Sequence, residues 1–356
     1  MPALPQKIAQ MLMVGFRGLV VDDLNPIVAD VRDRGIGGVL LFSYDMVLGN
    51  PVRNVASPEQ LQALSASLQA LATLPLLIAV DQEGGRVARL DEKRGFPPTL
   101  APQVLGEIGD PAYTYAQSAQ MAKTLRAAGV NHNLAPAVDV NTNPDNPVIG
   151  KMGRSFSADP DVVTAHARAF IAAHHAHKVL TALKHFPGHG SSRADSHKGF
   201  VDVTDTWQEL ELAPYRALIA EGAVDAVMSA HVFNARLDPL FPATLSPAIL
   251  TGLLREQLGF AGVIITDDMG MGAITAQYGF AEAVVRAVQA GADMLALGNN
   301  LMYDPDVAAR TIAILTQAVA DGHLSEQRID ESYTRILALK AKYLSAGSPA
   351  YASFLR

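Results

Sequence analysis

Several places in this chain gather side chains able to break a covalent bond. Asp81-Gln82-Glu83-Gly84-Gly85-Arg86, with Arg89 three residues on, closes one short apolar run. Lys184-His185-Phe186-Pro187-Gly188-His189-Gly190 closes another and is followed by Asp195-Ser196-His197. Ser229-Ala230-His231 and Thr266-Asp267-Asp268-Met269 close two more, and Gly153-Arg154-Ser155-Phe156 lies in a loop beyond a fifth. A carboxylate can act as nucleophile or base, and imidazole, titrating near neutrality, can give and take a proton. The same residue types can ligate a metal. Taken singly, each has an ordinary structural reading. An Asp such as Asp268 after a strand caps the next helix, a strand-end His is hydrogen-bonded, and Gly84-Gly85 marks a tight turn. Chance does not readily put all five sets at the same position relative to an apolar run.

For these groups to meet, the runs before them must be parallel strands whose C-terminal ends share one rim. Continuous apolar, β-branched runs alternate with longer Ala/Leu-rich segments, the pattern of buried parallel strands and crossover helices. The strand candidates are 11–16, 38–42, 76–81, 131–136, 182–186, 226–231, 262–267 and 293–298. Helical stretches fall at 58–72, 112–128, 161–177, 206–221, 281–290, 305–321 and 325–345. Asp304 is the expected cap of the helix that opens on Pro305, and Ser325 that of the last. Eight strands interleaved with helices predict an α/β fold, a (β/α)8 TIM barrel, as a single domain over 1–356. An open doubly wound sheet is the competing arrangement. Gly35-Ile36-Gly37-Gly38, however, precedes a strand instead of following one and lacks the GxGxxG spacing of a dinucleotide site. His174-His175-Ala176-His177 falls on a crossover helix and reads as a solvated face, away from the rim.

Composition narrows the partners. With 49% hydrophobic and 18% charged residues in 356, there is material for one large core. A formal charge of -7 gives no basic stripe for a nucleic acid backbone. The lack of cysteine excludes disulfides, thiolate nucleophiles and cysteine-ligated metals. The opening Met-Pro-Ala-Leu-Pro-Gln-Lys lacks the basic start and apolar run of a signal peptide, and no apolar stretch approaches ~18 residues. The expected location is cytoplasmic with no membrane partner, although the mature region of an exported protein reads the same way.

These strings resemble glycoside hydrolase family 3 in its β-N-acetylhexosaminidase branch, especially single-domain bacterial enzymes that remove N-acetylglucosamine from peptidoglycan fragments. The most specific string is Lys184–Gly190 followed by Asp195-Ser196-His197; Asp81–Arg86 and Ile265-Thr266-Asp267-Asp268 follow in the family's order. The resemblance runs from Ile8 to Ala341. It implies a retaining glycosidase with Asp267 as nucleophile. His197, oriented by Asp195, takes the place of the usual carboxylic acid/base. It also implies that Asp81 accepts hydrogen bonds from sugar hydroxyls. Arg89, Arg154, Lys184 and His185 would donate to hydroxyls or to the N-acetyl carbonyl, with His231 also on the substrate. The Gly- and Ser-rich loop 188–197 would carry the Asp195–His197 pair in over bound sugar. No cofactor or metal is implied, and the partner is a small carbohydrate ending in N-acetylglucosamine.

The sequence departs from the family in three respects. Thr266 stands where Ser is frequent, the stretch 148–154 before Arg154 is longer than usual, and the chain ends soon after the last expected barrel helix. In two-domain relatives a second domain supplies the acid/base; here the resemblance implies that the barrel does. Within the family, a β-glucosidase or a phosphorolytic variant is an alternative. Outside it stands a metal-dependent barrel hydrolase ligated by His185, His189, His197 and Asp267, against which the neighbouring Lys184, Arg89 and Arg154 would repel a cation. A non-catalytic sugar-binding barrel would use Asp81 and Lys184 but need neither Asp267 nor the Asp195–His197 pair. The aglycone is not encoded in these motifs.

Overall fold

The computed structural model describes residues 2–196, 199–275 and 277–344. Eight short parallel strands form the barrel: β1 Leu12–Gly15, β2 Gly38–Leu41, β3 Leu77–Val80, β4 His132–Asn133, β5 Leu180–Phe186, β6 Ala226–Ser229, β7 Val263–Ile265 and β8 Leu295–Leu297. They pair in the order β8-β1-β2-β3-β4-β5-β6-β7. Leu12 pairs with Leu295 across the β1–β8 seam, and a parallel bridge from Ile265 to Met294 joins β7 to β8, so the sheet closes. Every strand residue is buried, which is why the strands read as unbroken apolar runs.

β4 is shorter than the expected 131–136. Pro136 has no N–H to donate, so regular pairing stops after Asn133. Bonding to β5 nevertheless continues, with Ala135 O accepting from Ala182 N at 3.0 Å, Pro136 O from Lys184 N at 3.2 Å, and Val138 N donating to Lys184 O at 2.8 Å. The helices Pro58–Leu71, Pro111–Ala127 and Pro160–Ala176 match expectation, each with proline in the first turn and a side-chain cap from Ser57, Asp110 and Asp159. Ser325 caps the last helix, its Oγ accepting from Arg328 N at 3.1 Å. Two helix expectations need correction. Asp304 accepts from Asp306 N and pairs with Arg310 instead of capping, and that helix begins only at Val307. The stretch 206–221 is helical only from Glu209, as a tight turn leading into Ala213–Ala220, because Pro214 fits a helix only in its first turn. The crossover before β7, Ala248–Gln257, is not among the expected helices; it is wide-wound, and Ser246 Oγ accepts from Ile249 N at 3.1 Å at its start.

The histidine segment is not a solvated face. His174 is fully buried, stacked on Phe170 with ring centroids 4.1 Å apart. Its Nδ1 donates to Phe170 O at 2.9 Å, and its Nε2 accepts from Asn133 Nδ2 at 3.0 Å. His175 Nε2 meets Asp225 at 2.6 Å.

Buried titratable groups give the fold a definite acid response. Burial depresses His132, His174 and His189 from 6.5 to about 4, 3 and 4. Below pH 6.5 the unfolded chain therefore takes up protons that the native imidazoles refuse. Burial acts oppositely on carboxyls, raising Glu211 to about 7 and Asp30 to about 6, so the native state holds two protons that the unfolded chain has released. Between about pH 6 and 4.5 three refusals against two retentions leave a net of about one proton, so stability falls by about 1.4 kcal/mol per unit of acidification. Below about 4.5 the loss steepens, because Glu83, Asp139 and Asp45 stay ionised to about 2 in the native state. Denaturant midpoints taken at about pH 7, 5 and 4 should show a shallow and then a steep decline; a flat profile would mean that these imidazoles protonate without unfolding.

Candidate active site

The C-terminal ends of β3, β5 and β7 deliver most of the polar groups. After β3 the chain makes a hairpin, Gln82–Gly84 against Val87–Ala88, that turns Arg89 back toward Asp81. Gly84 is required there: its φ is +106°, and a Cβ would lie 2.1 Å from Leu100 O. Asp81 accepts from Lys184 Nζ at 2.7 Å and from Arg89 Nη2 at 3.0 Å. Lys184 Nζ also lies 2.8 Å from Glu83, which holds Arg154 in a fork at 2.7 and 2.8 Å. Arg89, Asp81, Lys184, Glu83 and Arg154 thus form one chain of alternating charge.

Burial works to raise the pKa values of Asp81 and Glu83, but the Lys184 charge, with Arg89 for Asp81 and Arg154 for Glu83, outweighs it. Asp81 is held well below the usual carboxylate range, and Glu83 is lowered to about 2. For Lys184, burial works to lower the pKa, but Asp81 and Glu83 raise it overall. A net of this kind adds little stability as a whole, yet losing one member strands a buried charge at about 3–5 kcal/mol.

Arg154 reaches the net even though its approach is long. Successive turns, with Lys151 N donating to Asn146 O, Gly153 N to Gly150 O and Arg154 N to Ile149 O, fold the extra length away. Its remaining bonds run from Nη1 to Val148 O at 3.1 Å and from Nη2 to His185 Nε2 at 3.2 Å. His185 follows a cis peptide after Lys184. It donates Nδ1–H to Asp139 at 2.7 Å and accepts from Arg154 on its other nitrogen. Asp139 also accepts from His189 N at 2.8 Å, so one buried carboxylate fixes both ends of the 185–189 turn. His189 Nδ1 meets Ser192 Oγ at 2.5 Å and its Nε2 meets Ser196 Oγ at 3.1 Å. The two described imidazoles of the metal-ligand alternative, His185 and His189, therefore have each nitrogen engaged by protein.

β7 leads through buried Thr266 to Asp267, which is half-buried with Oδ1 accepting from Asp268 N at 2.8 Å. Asp268 does not cap a helix. Its Oδ1 accepts from Gly270 N at 3.0 Å and Gly298 N at 2.9 Å, tying the turn after β7 to the end of β8. His231, expected on the substrate, is buried, bonded to Thr244 Oγ1 at 2.8 Å and Asp268 O at 3.0 Å.

The loop after β5 is anchored at both ends. Asn146 Nδ2 donates to His189 O, Gly190 O and Ser192 Oγ, and Gly190 N donates to Glu211 at 3.1 Å. Further along, Ser196 O accepts from Ala273 N at 3.2 Å, which docks the loop on the segment that follows Asp267. Asp195 is half-buried, and His197 lies outside the described residues.

A cavity of about 400 Å3 opens at this rim, a size suited to a small ligand. Asp81, Arg89, Arg154, Lys184, His185, Asp195, Asp267 and Asp268 all line it. His231 is not among its described lining. The lining also has apolar members, Phe42, Tyr44, Met46, Met271 and Leu301, and the Arg89 guanidinium lies 5.8 Å from the Phe42 ring centroid. The sequence reading gave no role to Glu83 or Asp139, although Glu83 lies inside the 81–86 string and Asp139 just beyond a strand end. Among the described residues no group of three or more His, Cys, Asp or Glu side chains is arranged to hold a metal ion. No helix among them is long and apolar enough to cross a membrane.

Known proteins resemble this chain along nearly its whole length. The family model described as the glycosyl hydrolase family 3 N terminal domain matches residues 3–339. Beta-hexosaminidase A of Pseudoalteromonas piscicida is 34% identical over 325 residues, covering 86% of this chain, which spans about half (53%) of that protein's length. A beta-hexosaminidase of Stenotrophomonas maltophilia is 35% identical over 354 residues, covering 92% of this chain and 98% of that protein. Among solved structures, a family 3 beta-N-acetylglucosaminidase from Paenibacillus sp. superposes with a TM-score of 0.88 at 38% identity, covering 98% of this chain and 65% of that one. Beta-N-acetylhexosaminidase from Beutenbergia cavernae superposes with a TM-score of 0.86 at 30% identity, covering 96% of this chain and 99% of that one. With its closed eight-stranded barrel, its rim of strand-end carboxylates and a family match over 3–339, the chain belongs to glycosyl hydrolase family 3, within the family of its N terminal domain.

Proposed function

We propose that this chain is a retaining β-N-acetylhexosaminidase. In this reading it releases terminal β-linked N-acetylglucosamine from peptidoglycan fragments or related glycosides. Asp267 forms the covalent glycosyl-enzyme, and the Asp195–His197 pair moves the proton. The observation that carries this reading is that Asp267, Asp195 and the Asp81–Lys184–Arg89 net open into the same cavity. The family relatives named for hexosaminidase activity support it.

The polar wall suits a neutral, hydroxyl-rich ligand. Asp81 has one oxygen on Lys184 and the other on Arg89, and each keeps a lone pair for a sugar hydroxyl. Arg89 Nε is buried without a hydrogen-bond partner among the described residues, a donor that a ligand oxygen would satisfy. Lys184, with two of its three N–H groups on Asp81 and Glu83, has one left to offer. Arg154 is more constrained: four of its five N–H groups are already engaged, so it acts mainly by fixing Glu83 and His185.

The test is a panel of aryl β-glycosides differing only at the 2- and 4-positions of the sugar. The N-acetylglucosaminide should be preferred over the glucoside by at least about a hundredfold in kcat/KM, because losing the amide leaves buried groups unpaired. A faster reaction on the glucoside would overturn the assignment.

A further inference from the structure

The loop after β2 carries Tyr44 and Met46, 42% and 57% exposed, and the loop after β8 carries Leu301. All three line the same cavity as Asp267. Scattered surface hydrophobics need no explanation. These differ in sharing one cavity and in resting on a backbone fixed from below.

Arg53 is buried and donates to Asp45 at 2.7 Å, Asn300 Oδ1 at 3.0 Å, Asn299 O at 2.7 Å and Phe16 O at 3.0 Å. Asp45, the residue between Tyr44 and Met46, takes a second cation from Arg17 at 2.7 Å and is lowered to about 2, chiefly by that bond. Asn300 closes the junction: its Oδ1 accepts from Met46 N at 3.0 Å and its Nδ2 donates to Tyr44 O at 3.1 Å. The backbones of Tyr44 and Met46 are therefore tied to the end of β8 through Asn300, the residue before Leu301, while their side chains line the cavity. Burial in the core does not account for Tyr44 and Met46, because they are exposed.

We propose that Tyr44, Met46 and Leu301 form the subsite for the leaving group, and that they select an aglycone presenting an apolar face. The inference rests on the glycosidase reading above. The charged groups after β3 and β5 take the sugar hydroxyls, which leaves the apolar lining after β2 and β8 for the other side of the scissile bond. A rigid apolar platform binds such a face at little ordering cost, since the backbone beneath it is already fixed.

The test uses methyl and octyl β-N-acetylglucosaminides, whose leaving alcohols are similarly poor, so that the chemical step stays comparable. Wild-type enzyme should show the higher kcat/KM on the octyl glycoside. In Tyr44→Ser/Met46→Ser that advantage should shrink by about tenfold or more, the scale of a lost apolar pocket contact. Far-ultraviolet circular dichroism and Tm should show the variant folded. Equal losses on the two glycosides, or no loss on either, would overturn the subsite. Wild-type enzyme that cleaves neither glycoside would instead overturn the glycosidase reading, and the subsite with it.

Discussion

Asp267→Ala is expected to lower turnover by at least about a thousandfold while the protein stays folded, because no other group can take over covalent capture of the sugar. The geometry favours a clean result. Asp267 is half-buried, and its Oδ1 accepts from Asp268 N within the turn. The turn has independent support from Asp268, which accepts from Gly270 N and Gly298 N. Removing the Asp267 carboxylate should therefore leave the backbone in place and Tm little changed. A fluorinated slow substrate should trap a glycosyl-enzyme whose labelled peptide carries the sugar on Asp267. Label on Asp268, or more than about a tenth of activity retained, would move the nucleophile elsewhere.

His197→Ala is expected to produce a loss that depends on the leaving group. A natural disaccharide departs as a poor alkoxide and needs a proton, whereas a dinitrophenolate leaves without one. The variant should therefore lose at least about a hundredfold in kcat/KM on the disaccharide and far less on the dinitrophenyl glycoside. Asp195→Ala should show the same asymmetry more weakly, since it disturbs the orientation of the imidazole without deleting it. Asp195 lines the cavity, and Ser196 beside it is held by His189 and by Ala273 N, so the loop has a defined seat against the segment that follows Asp267. Equal losses on both glycosides would assign His197 to substrate binding and leave the proton donor to be found elsewhere.

The barrel was legible in the sequence because its strands are buried on both sides, and continuous apolar runs such as Leu77–Val80 have few other readings. The positions of Asp81, Lys184 and Asp267 followed from the same rule, since a polar residue directly after such a run lands on the rim. What stayed hidden depends on contacts distant in sequence. Glu83 acquires its role from Arg154, 71 residues away, and Asp139 from His185, 46 residues away. His231 reads as a rim donor, but it is buried and bonded to Thr244 and to the Asp268 carbonyl, neither of them local in sequence. The apolar lining was invisible for a related reason: Tyr44 and Met46 fall past the end of β2, where no periodicity marks which way a side chain faces.

Glycosidic cleavage passes through a sugar whose anomeric carbon becomes positively charged. In water, surrounding dipoles must turn to meet that charge, and the turning is itself part of the barrier. Along the Arg89–Asp81–Lys184–Glu83–Arg154 chain the turning has been done in advance, because each cation is already clasped by a carboxylate. Those groups hold their orientation whether the ring is neutral or charged. On the glycosidase reading proposed above, the groups that hold the sugar hydroxyls are thus set when the protein folds, and little of the reaction's free energy would go into rearranging them.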